Sequence, residues 1–141
     1  MFESAAKLCD VMALKYELGL RTRLAYEAGD KQALRSLAEN EYVQVMERIE
    51  VFAAAFERQW MLDNKPHGFD VQDLRIGGLL RRTASCRRRL LDYVNGTIDR
   101  IEELDEALLP FREKEQSTNI NKAALYATVN ILHHNSVVLE K

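Results

Sequence analysis

Six arginines fall between Arg75 and Arg89, namely Arg75, Arg81, Arg82, Arg87, Arg88 and Arg89. Guanidinium groups bind phosphate well, so such a run could form a phosphate or nucleic-acid patch. On a helix, however, these residues spread around much of the circumference, and the same stretch continues into Asp99, Glu102, Glu103, Asp105 and Glu106. The run is bipolar rather than basic, and the formal net charge of the whole chain is −2. A surface salt-bridged to acidic partners such as Glu39, Glu41, Glu47 and Glu50 is therefore the preferred reading, and no nucleic-acid partner is expected. His133 and His134, with His67 far away, are the nearest thing to metal ligands. Adjacent side chains diverge on a helix, no Glu or Cys stands at a suitable spacing, and there is no HExxH arrangement, so neither metal nor cofactor is expected.

Catalytic chemistry fares no better. There is no GxSxG elbow, and neither Cys9 nor Cys86 has a recognisable nucleophile signature. Glu102-Glu103 could serve acid–base work, but a sugar-cleaving pair must face across a cleft at about 5 to 9.5 Å. A charged helix face is the simpler account, and no catalytic residue is expected in this chain. Trp60 could stack on a sugar ring, yet it continues an apolar seam and reads as core. The run from Asn64 to Leu79 differs, since it places Pro66, Gly68, Gly77, Gly78, an aromatic and several ionisable side chains between two helices. Loops held by rigid elements often carry function.

The elements that would position these residues are helices. Phe2, Ala5, Cys9, Met12, Tyr16 and Leu20 form one apolar stripe, and Leu8, Val11, Leu14 and Leu18 a second, predicting a helix over 2–27. A helix apolar on two faces is usually sandwiched between neighbours, so this one is expected to touch something outside the chain. Gly29 can cap it in the left-handed conformation, and Asp30 can start the next helix. Tyr42, Met46, Ile49, Ala53, Phe56 and Trp60 form a heptad-like seam within a helix over 31–63, with a kink near Asn40. Pro66 lies beyond its end.

Asp70 is the expected N-cap of a third helix over 70–109, whose apolar positions include Leu74, Leu79, Leu80, Leu90, Val94, Ile98, Ile101, Leu104 and Leu108. Gly77-Gly78 implies close approach by another backbone or a local break, because each glycine costs up to about 1 kcal/mol in a helix interior. Asn95-Gly96 resembles a hairpin turn, but its neighbours keep the helical period, so a bend is expected there and Pro110 ends the helix. Residues 110–141 read as a loop over 112–119, a short helix over 123–132 and an extended tail over 136–139. The fold class is all-α, a bundle of three long antiparallel helices plus a less regular C-terminal piece.

The 141 residues suit a single domain, and only 2 prolines and 6 glycines interrupt it, which permits long helices. The two cysteines lack CxxC spacing, so reduced thiols in a cytoplasmic protein are expected. The N-terminus lacks the pattern of a secretory signal, and no run approaches the roughly 18 apolar residues of a membrane span, so no membrane partner is expected.

The stretch NKPHGFDVQDLRIGGLLRR (residues 64–82), with LCDVMALKYELGLRTRLAYEAGD (8–30) before it and DRIEELDEALLPF (99–111) after it, resembles the C-terminal helical domain of bacterial glycoside hydrolase family 20 β-N-acetylhexosaminidases. The streptococcal-type exo-N-acetylglucosaminidases look most similar. The resemblance implies a fragment of a larger chain with a small α+β domain first, a catalytic (β/α)₈ barrel next and the helical domain last. The barrel supplies an adjacent Asp and Glu, the Glu as general acid and the Asp to orient the substrate's own acetamido nucleophile. No such residue maps onto this chain. The implied partners are the catalytic barrel of the same chain and a second copy in a homodimer. Asn64, Lys65, His67, Phe69, Asp70 and Arg75 are then candidates for the domain interface or an active-site rim. The alternative is a free-standing bundle that binds a protein or nucleic acid through the arginine-rich third helix.

Overall fold

In a computed structural model of the chain, residues 2–106 are described. They form α1 (Phe2–Glu27), α2 (Lys31–Ser36), a π-helical turn (Leu37–Glu41), α3 (Tyr42–Asp63), α4 (Phe69–Val94) and α5 (Glu102–Asp105). No strand occurs among the described residues, and the fold is an all-α bundle. Leu108, Pro110, the loop, helix and tail expected beyond it, and His133-His134 lie outside these residues.

Asp30 sets the first corner. α1 ends in a Schellman motif, with Gly29 at φ 66°, its N–H donating to the Tyr26 carbonyl at 2.9 Å and the Asp30 N–H to the Ala25 carbonyl at 2.9 Å. The Asp30 carboxylate then accepts the Ala33 N–H at 2.9 Å and caps α2. One residue thus satisfies orphan backbone groups of two helices.

The irregularity near Asn40 is the π-helical turn. Its cause is local: the Asn40 side-chain amide donates to the Ser36 carbonyl at 3.0 Å, while the Tyr42 N–H passes on to the Leu37 carbonyl. The extra residue also corrects the phase of the core. On an uninterrupted helix Leu37 would stand about 120° from Ile49. With the π turn, Leu34, Leu37, Ala38, Tyr42, Val45 and Ile49 all join one buried cluster.

α1 and α4 both pack along the α2–α3 rod. Ser4 bonds Gln59, Arg48 donates to the Asp10 carbonyl at 2.7 Å, and Arg21 grips Glu41 at 2.5 and 2.7 Å, so α1 runs antiparallel to α3. Arg87 donates to the Ala38 carbonyl at 2.8 Å and Arg35 to Asn95 at 2.7 Å, so α4 returns antiparallel as well. The core joins Val11 and Leu18 of α1, the rod residues above, Leu90 of α4 and Ile101. Leu34, Val45 and Ile49 are almost entirely buried, each contributing about 1.5 to 3 kcal/mol.

Two expectations about the third helix are corrected. First, it starts at Phe69 after a left-handed Gly68 (φ 96°), so Asp70 lies in its first turn and is not the N-cap. Second, it does not run to 109. Gly96 (φ 75°) closes a second Schellman motif, with its N–H bonding the Tyr93 carbonyl at 3.1 Å and the Thr97 N–H bonding the Asp92 carbonyl at 2.8 Å. The apolar period survives past this stop because Ile98, Ile101 and Leu104 fold back onto the same core. Arg23 holds that return, donating to the Leu104, Glu106 and Glu103 carbonyls at 2.9, 3.2 and 3.3 Å. Tyr26 assists by accepting the Ile101 N–H at 3.0 Å and donating to Asp105 at 2.8 Å.

Candidate docking surface

The outer side of α1 is the most unusual surface of the described residues. Its inner side is set by Ser4, Val11, Leu18 and Thr22, all buried. At 100° per residue the opposite side carries Phe2, Ala5, Ala6, Cys9, Met12, Ala13, Tyr16 and Leu20, with no charge among them. All are exposed, Phe2 at 88%, Tyr16 at 80% and Leu20 at 59% of their full areas. The first apolar stripe of the sequence is therefore the outward one, and the core uses Val11, Leu14 and Leu18 from the second. Apolar surface in one uncharged band over residues 2–20 of α1 is a contiguous patch rather than scattered exposure, which makes it a candidate docking face. Beside it Met12, Tyr16, Arg21 and Glu41 line an open groove of about 530 Å³.

The segment from Asn64 to Arg75 turns the corner between α3 and α4. Asn64 is the extended C-cap of α3. The Trp60 indole N–H donates to the Lys65 carbonyl at 2.9 Å, which fixes the turn from below. Phe69 packs its ring on Phe56 and Trp60 at centroid distances of 6.4 and 6.0 Å, so it closes the end of the core. Trp60 belongs to that same half-buried cluster, with its ring 6.0 Å from Phe56. Asn64, Lys65, His67, Asp70 and Arg75 are exposed around the turn. Leu62 and Leu74, 86% and 72% exposed, add apolar surface at this end.

Two arginines of α4, Arg82 and Arg89, pair with acids other than those expected. Arg89 pairs with Glu102 and, at 3.4 Å, with Glu103, and Arg82 lies 4.0 Å from Glu103. Glu39 and Glu41 are instead bound to Arg35 and Arg21, and Glu47 and Glu50 make no ion pair with these arginines. The reason is the stop at Gly96, which turns the acidic run back beside α4. The Glu102 carboxyl is held below the usual carboxylate range, first by its own backbone N–H and then by Arg89. Near this contact Thr22, Tyr42, Cys86, Leu90 and Ile101 line a recess of about 90 Å³. That is well below the roughly 300 Å³ of small-molecule sites.

Among the described residues no group of His, Cys, Asp and Glu could hold a metal ion. No helix among them is long and apolar enough to cross a membrane. What the geometry defines is an all-α bundle with an apolar helix face turned outward. The family model described as Glycoside Hydrolase 20C C-terminal domain matches residues 1–123, and the chain belongs to that family. It is accordingly a non-catalytic, C-terminal domain of a glycoside hydrolase. Curated proteins supply no match to the chain.

Proposed function

We propose that the chain is the C-terminal domain of a β-N-acetylhexosaminidase, that it packs on the catalytic barrel through the outer face of α1, and that it supports a homodimer. The observation that carries this reading is the uncharged band from Phe2 to Leu20. Leaving such a band in water forfeits about 25 cal/mol for each Å² that a neighbour would bury. The neighbour we assign to it is the catalytic (β/α)₈ barrel that the family resemblance implies. The exposed turn residues Asn64, Lys65, His67, Asp70 and Arg75 then form a polar rim toward the barrel or a partner's active site, while Phe69 holds the turn rigid from inside.

The test compares the full-length enzyme with the 141-residue chain on a chromogenic N-acetylglucosaminide. Hydrolysis is expected from the first only. In the full-length enzyme, Met12→Glu with Leu20→Glu should lower activity or the melting temperature. Both positions are exposed, so the helical content of the 141-residue chain should not change. Hydrolysis by the 141-residue chain alone, or a full-length double variant indistinguishable from wild type, would overturn the reading.

A further inference from the structure

The outer face of α4 has a different character from that of α1. Gly77 and Gly78 lie in the middle of an unbroken 26-residue helix, and a methyl group added to either would meet nothing within 4 Å among the described residues. Two glycines there cost up to about 1 kcal/mol each relative to alanine, and no packing among the described residues offsets it. Glycines in a helix allow another backbone to come close. The local break that the pair could have produced does not occur.

Charge identifies what comes close. N-terminal to the glycines stand Asp70 and Asp73, and C-terminal to them Arg81 and Arg88, all four exposed and without an ion-pair partner among the described residues. An antiparallel copy of α4, related by a two-fold axis through the glycine pair, would set Gly77 against Gly78. At about 1.5 Å per residue, Asp73 and Arg81 would then fall opposite each other within about 1.5 Å along the axis. Asp70 and Arg88 would be offset by about 4.5 Å, within the reach of an arginine side chain. The arginine stem opposite Leu74 would cover that 72% exposed side chain. A two-fold contact needs one self-complementary patch, and this side of the helix carries Asp70 and Asp73 before its glycines and Arg81 and Arg88 after them, while Arg75 lies about 150° away around the helix.

We propose that α4 crosses α4 of a second copy at Gly77-Gly78, and that this crossing is a seam of the homodimer. The proposal rests on the dimer reading above and assigns it a surface separate from the α1 face. The experiment uses two charge-reversed versions of the intact enzyme, one with Arg81→Glu and Arg88→Glu, the other with Asp70→Lys and Asp73→Lys. Each alone should dimerise about tenfold or more weakly in analytical ultracentrifugation, because like charges face each other. Mixed together they should form heterodimers in native mass spectrometry, since every opposed pair is again of opposite sign. A dimer that persists in both single versions overturns the seam and leaves the dimer reading standing. A monomeric wild-type enzyme overturns both. Salt-sensitive binding of an RNA or DNA probe by a monomer, abolished by the arginine reversals, would assign the face to nucleic acid and also overturn the seam.

Discussion

The Tyr42 hydroxyl lies 3.1 Å from Thr22 Oγ1, and Thr22 donates its own proton to the Leu18 carbonyl at 2.7 Å. Tyr42 must therefore be the donor in this buried bond between α3 and α1. Burial pushes the Tyr42 pKa above the ordinary value near 10. The contact ties the middle of the rod to the last part of α1, about two turns before the corner at Gly29.

This arrangement predicts a specific alkaline instability. The folded chain holds the tyrosine proton more tightly than the unfolded chain, so its stabilisation is complete below about pH 10 and is lost as pH rises through the folded-state value. Tyr42→Phe should cost about 1 kcal/mol at neutral pH through the lost hydrogen bond, yet lose less stability than wild type above pH 10. Urea unfolding at both pH values checks this, and parallel losses in the two proteins would contradict it.

The corner at Gly29-Asp30 should be sensitive at both residues for different reasons. Gly29→Ala must place a side chain at φ 66°, at a cost of about 1 kcal/mol or more. Asp30→Ala removes the cap of α2 and should cost about 1 kcal/mol, whereas Asp30→Asn should retain most of that stability. Thermal unfolding of the three variants measures the difference. An alanine at 30 as stable as wild type would mean that the cap contributes nothing.

Leu34 and Leu20 should separate core from docking face. Leu34 is fully buried, so Leu34→Ala should destabilise the 141-residue chain by about 2 to 5 kcal/mol. Leu20 is 59% exposed, and Leu20→Ala should change it by no more than about 0.5 kcal/mol. In the full-length enzyme the second substitution should become destabilising, because the barrel would then cover the site. Denaturant unfolding of both proteins reads the contrast, and a neutral Leu20→Ala in the full-length enzyme would count against docking there.

The first two helices, the Gly29-Asp30 corner and the family were readable from the sequence because their causes are local. Side-chain period determines a helix, and the Gly29-Asp30 pair satisfies backbone groups only a few residues away. The 64–82 motif identified the family without any geometry. Other features were undecided because their causes are distant. Both stripes of α1 are apolar, and period alone cannot say which one the rod will cover. The Gly96 stop was masked because Ile98, Ile101 and Leu104 keep a helical spacing while reaching the core from a separate, folded-back segment. The partners of Arg82 and Arg89 followed from that return, which brings Glu102 and Glu103 beside α4. Hydrophobic burial is non-directional, so the pattern of apolar residues states what must be hidden. Only the packed chain determines behind what, and among the described residues nothing covers the Phe2 to Leu20 band of α1.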